Sequence, residues 1–153
     1  MQTLEPILAN LPIFRELKPE YLALITGCAS NVRFEAGAFV GRQGDPADAF
    51  WVLRQGRVAL EIHAPGRGAL TISTIGENEV LGWSWLLPPY HWHFGAYAVE
   101  PTTLISLDAV CVRGKCEHDP VFGFEIMRRF AQVMASRLEA THLQLMNVYE
   151  HRR

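Results

Sequence analysis

Three of the chain's four tryptophans, Trp83, Trp85 and Trp92, fall within ten residues of one another, and His91 and His93 flank the last of them. An indole offers a large flat apolar face and a single N–H donor. It suits stacking on a flat ligand, anchoring a protein partner, or filling a cavity in its own domain. The stretch reads Gly82-Trp83-Ser84-Trp85-Leu86-Leu87-Pro88-Pro89-Tyr90-His91-Trp92-His93-Phe94, and no Asp, Glu, Lys or Arg occurs from Val80 to Val99. Whatever these residues bind, they bind without a formal charge of their own. On a strand, His91 and His93 would point the same way and could offer two nitrogens to a metal. No neighbouring Cys, Asp or Glu completes a ligand set, so no metal is expected. Their ordinary role is hydrogen bonding at the mouth of a pocket.

Catalytic arrangements are missing. Ser84 is not in a Gly-x-Ser-x-Gly setting, no Gly-rich phosphate loop precedes a Lys, and no pair of carboxylates stands out. The expectation is a protein that is not an enzyme. The three cysteines, Cys28, Cys111 and Cys116, are odd in number and match no common zinc or disulfide framework. They are expected to be reduced, partly buried thiols of a cytoplasmic protein. An iron–sulfur or redox-sensing role would need a fourth ligand.

These residues must be held by a fold, and 153 residues make one domain large enough to bury a core. With 49% hydrophobic and 20% charged residues the composition is that of a folded globular protein. A net charge of −2 provides no basic field for nucleic acid or anionic membrane. The first residues carry no basic stretch leading into an apolar run, so no signal peptide is expected. The uncharged stretch 80–99 contains Pro88-Pro89 and would not span a bilayer as a helix.

The chain divides into three. Residues 1–29 read as short helices, with Pro19 opening one that carries Leu22, Ile25 and Tyr21 on a common face. Residues 30–108 read as a β-roll, because glycines (37, 44, 56, 66, 76 and 82) punctuate short apolar runs. Phe50–Leu53 and Val58–Ile62 look like a hairpin across Gln55-Gly56. Residues 109–150 read as helices, capped at Asp108 and at Asp119-Pro120. On the last helix Met127, Ala131, Met134, Leu138, Thr141, Leu145 and Val148 are spaced 4, 3, 4, 3, 4, 3, the seam of a coiled coil. A second stripe, Ile126, Phe130 and Val133, gives way to Arg137. The seam predicts a homodimer through twin helices. The second stripe predicts packing on the chain's own roll.

Glu35-Ala36-Gly37, the turn Gln43-Gly44-Asp45-Pro46-Ala47-Asp48, the following Ala49–Leu53, then Gln55-Gly56-Arg57-Val58 and Ala98–Leu104 come in order. In this order they resemble the cyclic-nucleotide-binding domain of the catabolite-activator and fumarate–nitrate-regulator superfamily. The resemblance covers residues 10–149. It implies a mainly β fold, a jelly-roll β-barrel with flanking helices and a long C-terminal dimerisation helix. It also implies a ligand cassette between two strands, in which Gly-Glu, a short apolar helix and an Arg about nine residues after the Glu hold a cyclic phosphate and its ribose. Here Gly82 is in place, Trp83 stands in the carboxylate slot and Trp92 in the arginine slot. Losing both charged contacts costs about 3–6 kcal/mol, roughly 10²–10⁴ in affinity.

The reading is a non-enzymatic regulatory or sensor module with a divergent cassette. Its ligand residues are Gly82–Leu87 and Tyr90–Phe94, with Met134, Leu138 and Thr141 approaching from the long helix. No resident cofactor is expected; a cyclic nucleotide or other small ligand is the candidate occupant. The alternative is a ligand-free interaction or scaffold domain with a tryptophan-filled pocket and a protein partner. Relatives that regulate transcription continue into a helix-turn-helix domain, whereas this sequence stops at Arg153. DNA binding by this chain alone is therefore not expected, and neither is a membrane role.

Overall fold

The computed structural model describes residues 4–151. Among them eight antiparallel strands form two four-stranded sheets, ordered β1-β8-β3-β6 and β2-β7-β4-β5. The strands are β1 (Ala29–Phe34), β2 (Phe39–Gly41), β3 (Ala49–Gln55), β4 (Val58–Ala64), β5 (Gly68–Ile75), β6 (Val80–Leu81), β7 (Gly95–Ala98) and β8 (Thr102–Asp108). The helices α1 (Glu5–Ala9) and α2 (Pro19–Thr26) precede the roll, and α3 (Ala109–His118) and α4 (Pro120–His151) follow it.

The run Phe50–Leu53 shows no polar alternation because both faces of β3 are covered. Successive side chains point to opposite faces of a strand. Phe50 stacks on Trp85 at 4.3 Å and meets Phe130 of α4 edge-on at 5.2 Å, whereas Trp51 turns the other way to stack on Trp92 at 5.4 Å. The predicted β3–β4 hairpin is not formed. β3 pairs with β8 and β6, while β4 pairs with β5 and β7 in the other sheet. The chain changes sheets at Gly56, whose φ is +111. A Cβ there would lie 2.5 Å from Thr102 Oγ1 and 2.8 Å from Pro101 O, so only glycine permits this corner. The hairpin lies one strand later, between β4 and β5. β5 is the sheet edge, and Leu70 and Ile72 on it remain exposed.

The caps lie where the sequence places them. Asp108 Oδ1 accepts from Cys111 N at 3.0 Å, and Asp119 Oδ1 accepts from Phe122 N at 3.2 Å. The first half of α4 is anchored. Phe122, Ile126 and Phe130 are buried, and Arg129 donates to Ile13 O and Arg15 O, each at 2.8 Å. From Leu138 to Glu150 every residue is exposed. A helix of 32 residues is about 48 Å long, and its distal half runs past the roll.

The cysteine reading is corrected. Cys28 and Cys111 form a disulfide with a Cα–Cα distance of 5.9 Å, leaving Cys116 as the free thiol. Their separation of 83 residues hid the pairing. The backbone explains it: Asp108 N donates to Cys28 O at 2.9 Å, so the start of α3 lies against the end of α2. Among the described residues, no helix is long and apolar enough to cross a membrane.

Candidate functional site

After β6 the chain turns at Gly82, with φ +100, and enters a 3₁₀ turn over Ser84–Leu86, where a short apolar helix was expected. It then passes a cis Pro88–Pro89 bond and returns to the roll at Gly95. The return leg is stitched to the turn after β2. Ala47 N donates to Tyr90 O at 2.7 Å, Trp92 N to Asp45 O at 2.9 Å, and Gly44 N to Trp92 O at 2.8 Å. This fixes the direction of Trp92. Its indole covers the backbone of Gly82 so closely that a Cβ there would lie 2.3 Å from Cη2. A Cβ on Gly41 would meet Trp92 Nε1 at 3.5 Å, and the indole is nearly buried.

The three tryptophans therefore have three positions. Trp92 lies over Gly82. Trp83, half-buried, stacks on His93 at 4.9 Å, and His93 Nδ1 is 2.9 Å from Ser84 Oγ. Trp85 points away into the core between Phe50 and Phe130, and among the described residues its Nε1 has no partner. Arg113 of α3 fastens this end of the cassette. It donates to Trp85 O at 2.9 Å and to Ala47 O at 3.3 Å, and its guanidinium covers the Tyr90 ring at 4.2 Å. His91 is exposed and pairs with Pro89 O, so the two histidines face different partners.

Beside Gly82 and Trp92 a cavity of about 580 Å³ remains between the roll and α4. Gly82, Trp83, Ser84, Trp92 and Phe94 line it from the cassette, while Trp85, Leu86, Leu87, Tyr90, His91 and His93 do not. The second sheet and β3 add Leu60, Ile72, Ala96 and Trp51. From the long helix the lining residues are Arg137, Ala140, Thr141 and Gln144. Of the three helix residues expected near the pocket, Thr141 lies at it and Met134 and Leu138 do not, because the helix turns the face that continues Ile126–Phe130–Val133 toward the roll. Arg137, the next position of that stripe, was the legible signal; Glu79 and Arg113 carried none.

Arg137 and Glu79 supply the cavity's formal charges. Arg137 Nη2 donates to Val80 O in β6, tying the helix to the strand that leads into the cassette. Burial lowers the guanidinium's pKa from its ordinary value, and the nearby Glu79 carboxylate opposes that shift. Glu79 Oε1 accepts from Gly76 N at 3.2 Å.

A family model described as "Cyclic nucleotide-binding domain" matches residues 31–119. The chain belongs to that family. Within it the chain falls in the catabolite-activator and fumarate–nitrate-regulator superfamily. A CRP-like cAMP-activated global transcriptional regulator of Mycobacterium tuberculosis is 25% identical over 142 residues, which cover 93% of this chain and 62% of that protein. The chain thus spans under two thirds of that relative's length. Among solved structures, the catabolite activator protein of Thermus thermophilus superposes with a TM-score of 0.70 at 25% identity, covering 90% of this chain and 63% of that one. A cyclic nucleotide-binding domain from Methylobacillus flagellatus gives 0.78 at 17% identity, covering 94% and 81%.

Proposed function

We propose that this cyclic-nucleotide-binding-type domain is a non-enzymatic regulatory module that responds to a small ligand held between the cassette and α4. The observation that carries the reading is the 580 Å³ cavity, walled on one side by Gly82, Trp83 and Trp92 and on the other by Arg137, Ala140, Thr141 and Gln144. An occupant touches the roll and the helix at once. It shifts the packing of α4 to the extent that it binds one helix position better than another. The exposed seam of Met127, Leu138, Leu145 and Val148, with Ala131, Met134 and Thr141, then conveys the shift to a second copy of the chain.

The usual cyclic-nucleotide pose is disfavoured, because Trp92 covers Gly82 and neither charged contact is present. The test is thermal unfolding with cyclic AMP, cyclic GMP and a set of flat aromatic compounds, with tryptophan fluorescence recorded alongside. A compound at about 100 times its Kd stabilises the fold by about 2.7 kcal/mol, several degrees in Tm. The module reading expects such a shift from at least one compound, and its loss in Ala140→Trp, which fills the cavity.

One observation favours a second reading. Trp92 over Gly82 is what a scaffold domain that has filled its own ligand site would show. A complete absence of shifts, with Ala140→Trp as stable as the parent, decides for that scaffold.

A further inference from the structure

The cavity's cation comes from the long helix and not from the cassette. The cassette carries no charge from Val80 to Val99, whereas Arg137 enters from α4 and reaches Val80 O, two residues before Gly82. A guanidinium has five N–H donors in a planar fork. Among the described residues Arg137 forms a single hydrogen bond, from Nη2 to Val80 O, and no ion pair. The only other charged lining group, Glu79, is engaged by Gly76 N. Fork donors are thus left at a half-buried position in a cavity whose lining includes four flat rings, Trp51, Trp83, Trp92 and Phe94.

Such a site selects on two features. The rings favour a flat apolar body. The fork favours a carboxylate or similar planar anion, with which it makes paired charge-assisted hydrogen bonds. The position usually taken by a cyclic phosphate is closed, since Trp92 lies on Gly82. At the place of a ribose-binding carboxylate stands Trp83, which offers no acceptor. A ligand with a sugar and a cyclic phosphodiester finds no charged side chain in the cassette.

We propose, building on the module reading above, that the cavity takes an aromatic carboxylate, its ring between the tryptophans and its anion on Arg137. The anion then bears on the residue that joins α4 to β6, so binding acts on the helix itself.

The experiment is calorimetric titration of the whole chain with naphthalene-2-carboxylate, its neutral amide and cyclic AMP. It is repeated on Arg137→Gln, on Arg137→Lys, and on Arg128→Gln as a control elsewhere on the helix. A hydrogen-bonded charge pair predicts that the carboxylate binds roughly 10- to 100-fold more tightly than the amide. Arg137→Gln abolishes that preference, Arg137→Lys keeps part of it, and Arg128→Gln leaves it unchanged. Equal binding of acid and amide overturns the proposal, as does a preference that survives Arg137→Gln or no binding of either naphthalene at millimolar concentration. The acid-to-amide ratio on the parent chain needs no variant, so it stands even where Arg137→Gln fails to fold. Cyclic AMP binding that ignores Arg137 overturns the aromatic-acid assignment while leaving the module reading intact. Heat-free titrations with all three compounds count against both.

Discussion

Gly82→Ala should be among the most damaging small substitutions in the molecule. Two costs combine. At φ +100 a side chain is strained, by about 1–3 kcal/mol for such sparsely populated backbone. The new Cβ would also lie 2.3 and 2.5 Å from two carbons of the Trp92 indole. That ring cannot retreat freely, since it is stacked on Trp51 and nearly buried. Overpacking of this kind costs about 1–3 kcal/mol. The sum is about 2–6 kcal/mol, and for a domain of this size each kcal/mol lowers Tm by about 2–4 °C. Urea unfolding followed by circular dichroism measures the loss. The two costs separate in a double mutant with Trp92→Leu, which leaves room for the methyl group. The strain should remain and the clash should vanish, giving a coupling of about 1–3 kcal/mol. A Gly82→Ala variant within about 0.5 kcal/mol of the parent, or strict additivity with Trp92→Leu, would refute the placement of Trp92.

Phe130→Ala should cost about 3–5 kcal/mol, because the ring is buried against Phe50 and Trp85 and leaves a cavity under α4; chemical denaturation reads it directly. The Cys28–Cys111 bond closes a loop of 83 residues, so reduction should destabilise by up to about 4.5 kcal/mol on the chain-entropy model. Thiol titration of the denatured, unreduced protein should then find one free cysteine, and finding three would contradict the bond. Burial, with Glu117 and Asp119 adding to it, pushes the Cys116 thiol up to about 11. The unfolded chain therefore releases this proton first, and the thiol's contribution to stability, complete below about pH 9, is lost as the pH rises toward 11. Iodoacetamide should label Cys116 slowly at pH 8, and labelling as fast as a free thiol would count against its burial. Leu138→Glu, at 57% exposure on the seam of α4, should leave Tm nearly unchanged in a monomer. It should convert a dimer to monomers in sedimentation velocity.

The fold class was legible because its signals are local and ordered. Glycine-marked turns, the capping Asp108 and Asp119 and the stripe Ile126–Phe130–Val133 each act within a few residues. What escaped depends on contacts distant in sequence. The apolar run Phe50–Leu53 beside Val58–Ile62 resembles a hairpin, and only the Thr102 and Pro101 backbone packed on Gly56 shows that the two belong to different sheets. Cys28 and Cys111 are brought together by helix docking, which no spacing rule encodes. At the site, the absence of charge in the cassette was plain from the sequence. That Trp85 serves the core, Trp92 covers Gly82 and Trp83 faces the cavity was not, since equal residue types on one loop diverge with backbone direction. The charge that the cassette lacks is found on α4, at the Arg137 that ends the second stripe.

A ligand in the cavity between cassette and α4 should act on the helix itself. Amide hydrogen exchange, with and without saturating naphthalene-2-carboxylate and separately cyclic AMP, tests it most directly. Exchange should slow only at 80–96 and in the turns around Arg137–Gln144, with α1 and α2 unchanged. Protection elsewhere, or binding that leaves α4 exchanging as before, would contradict it.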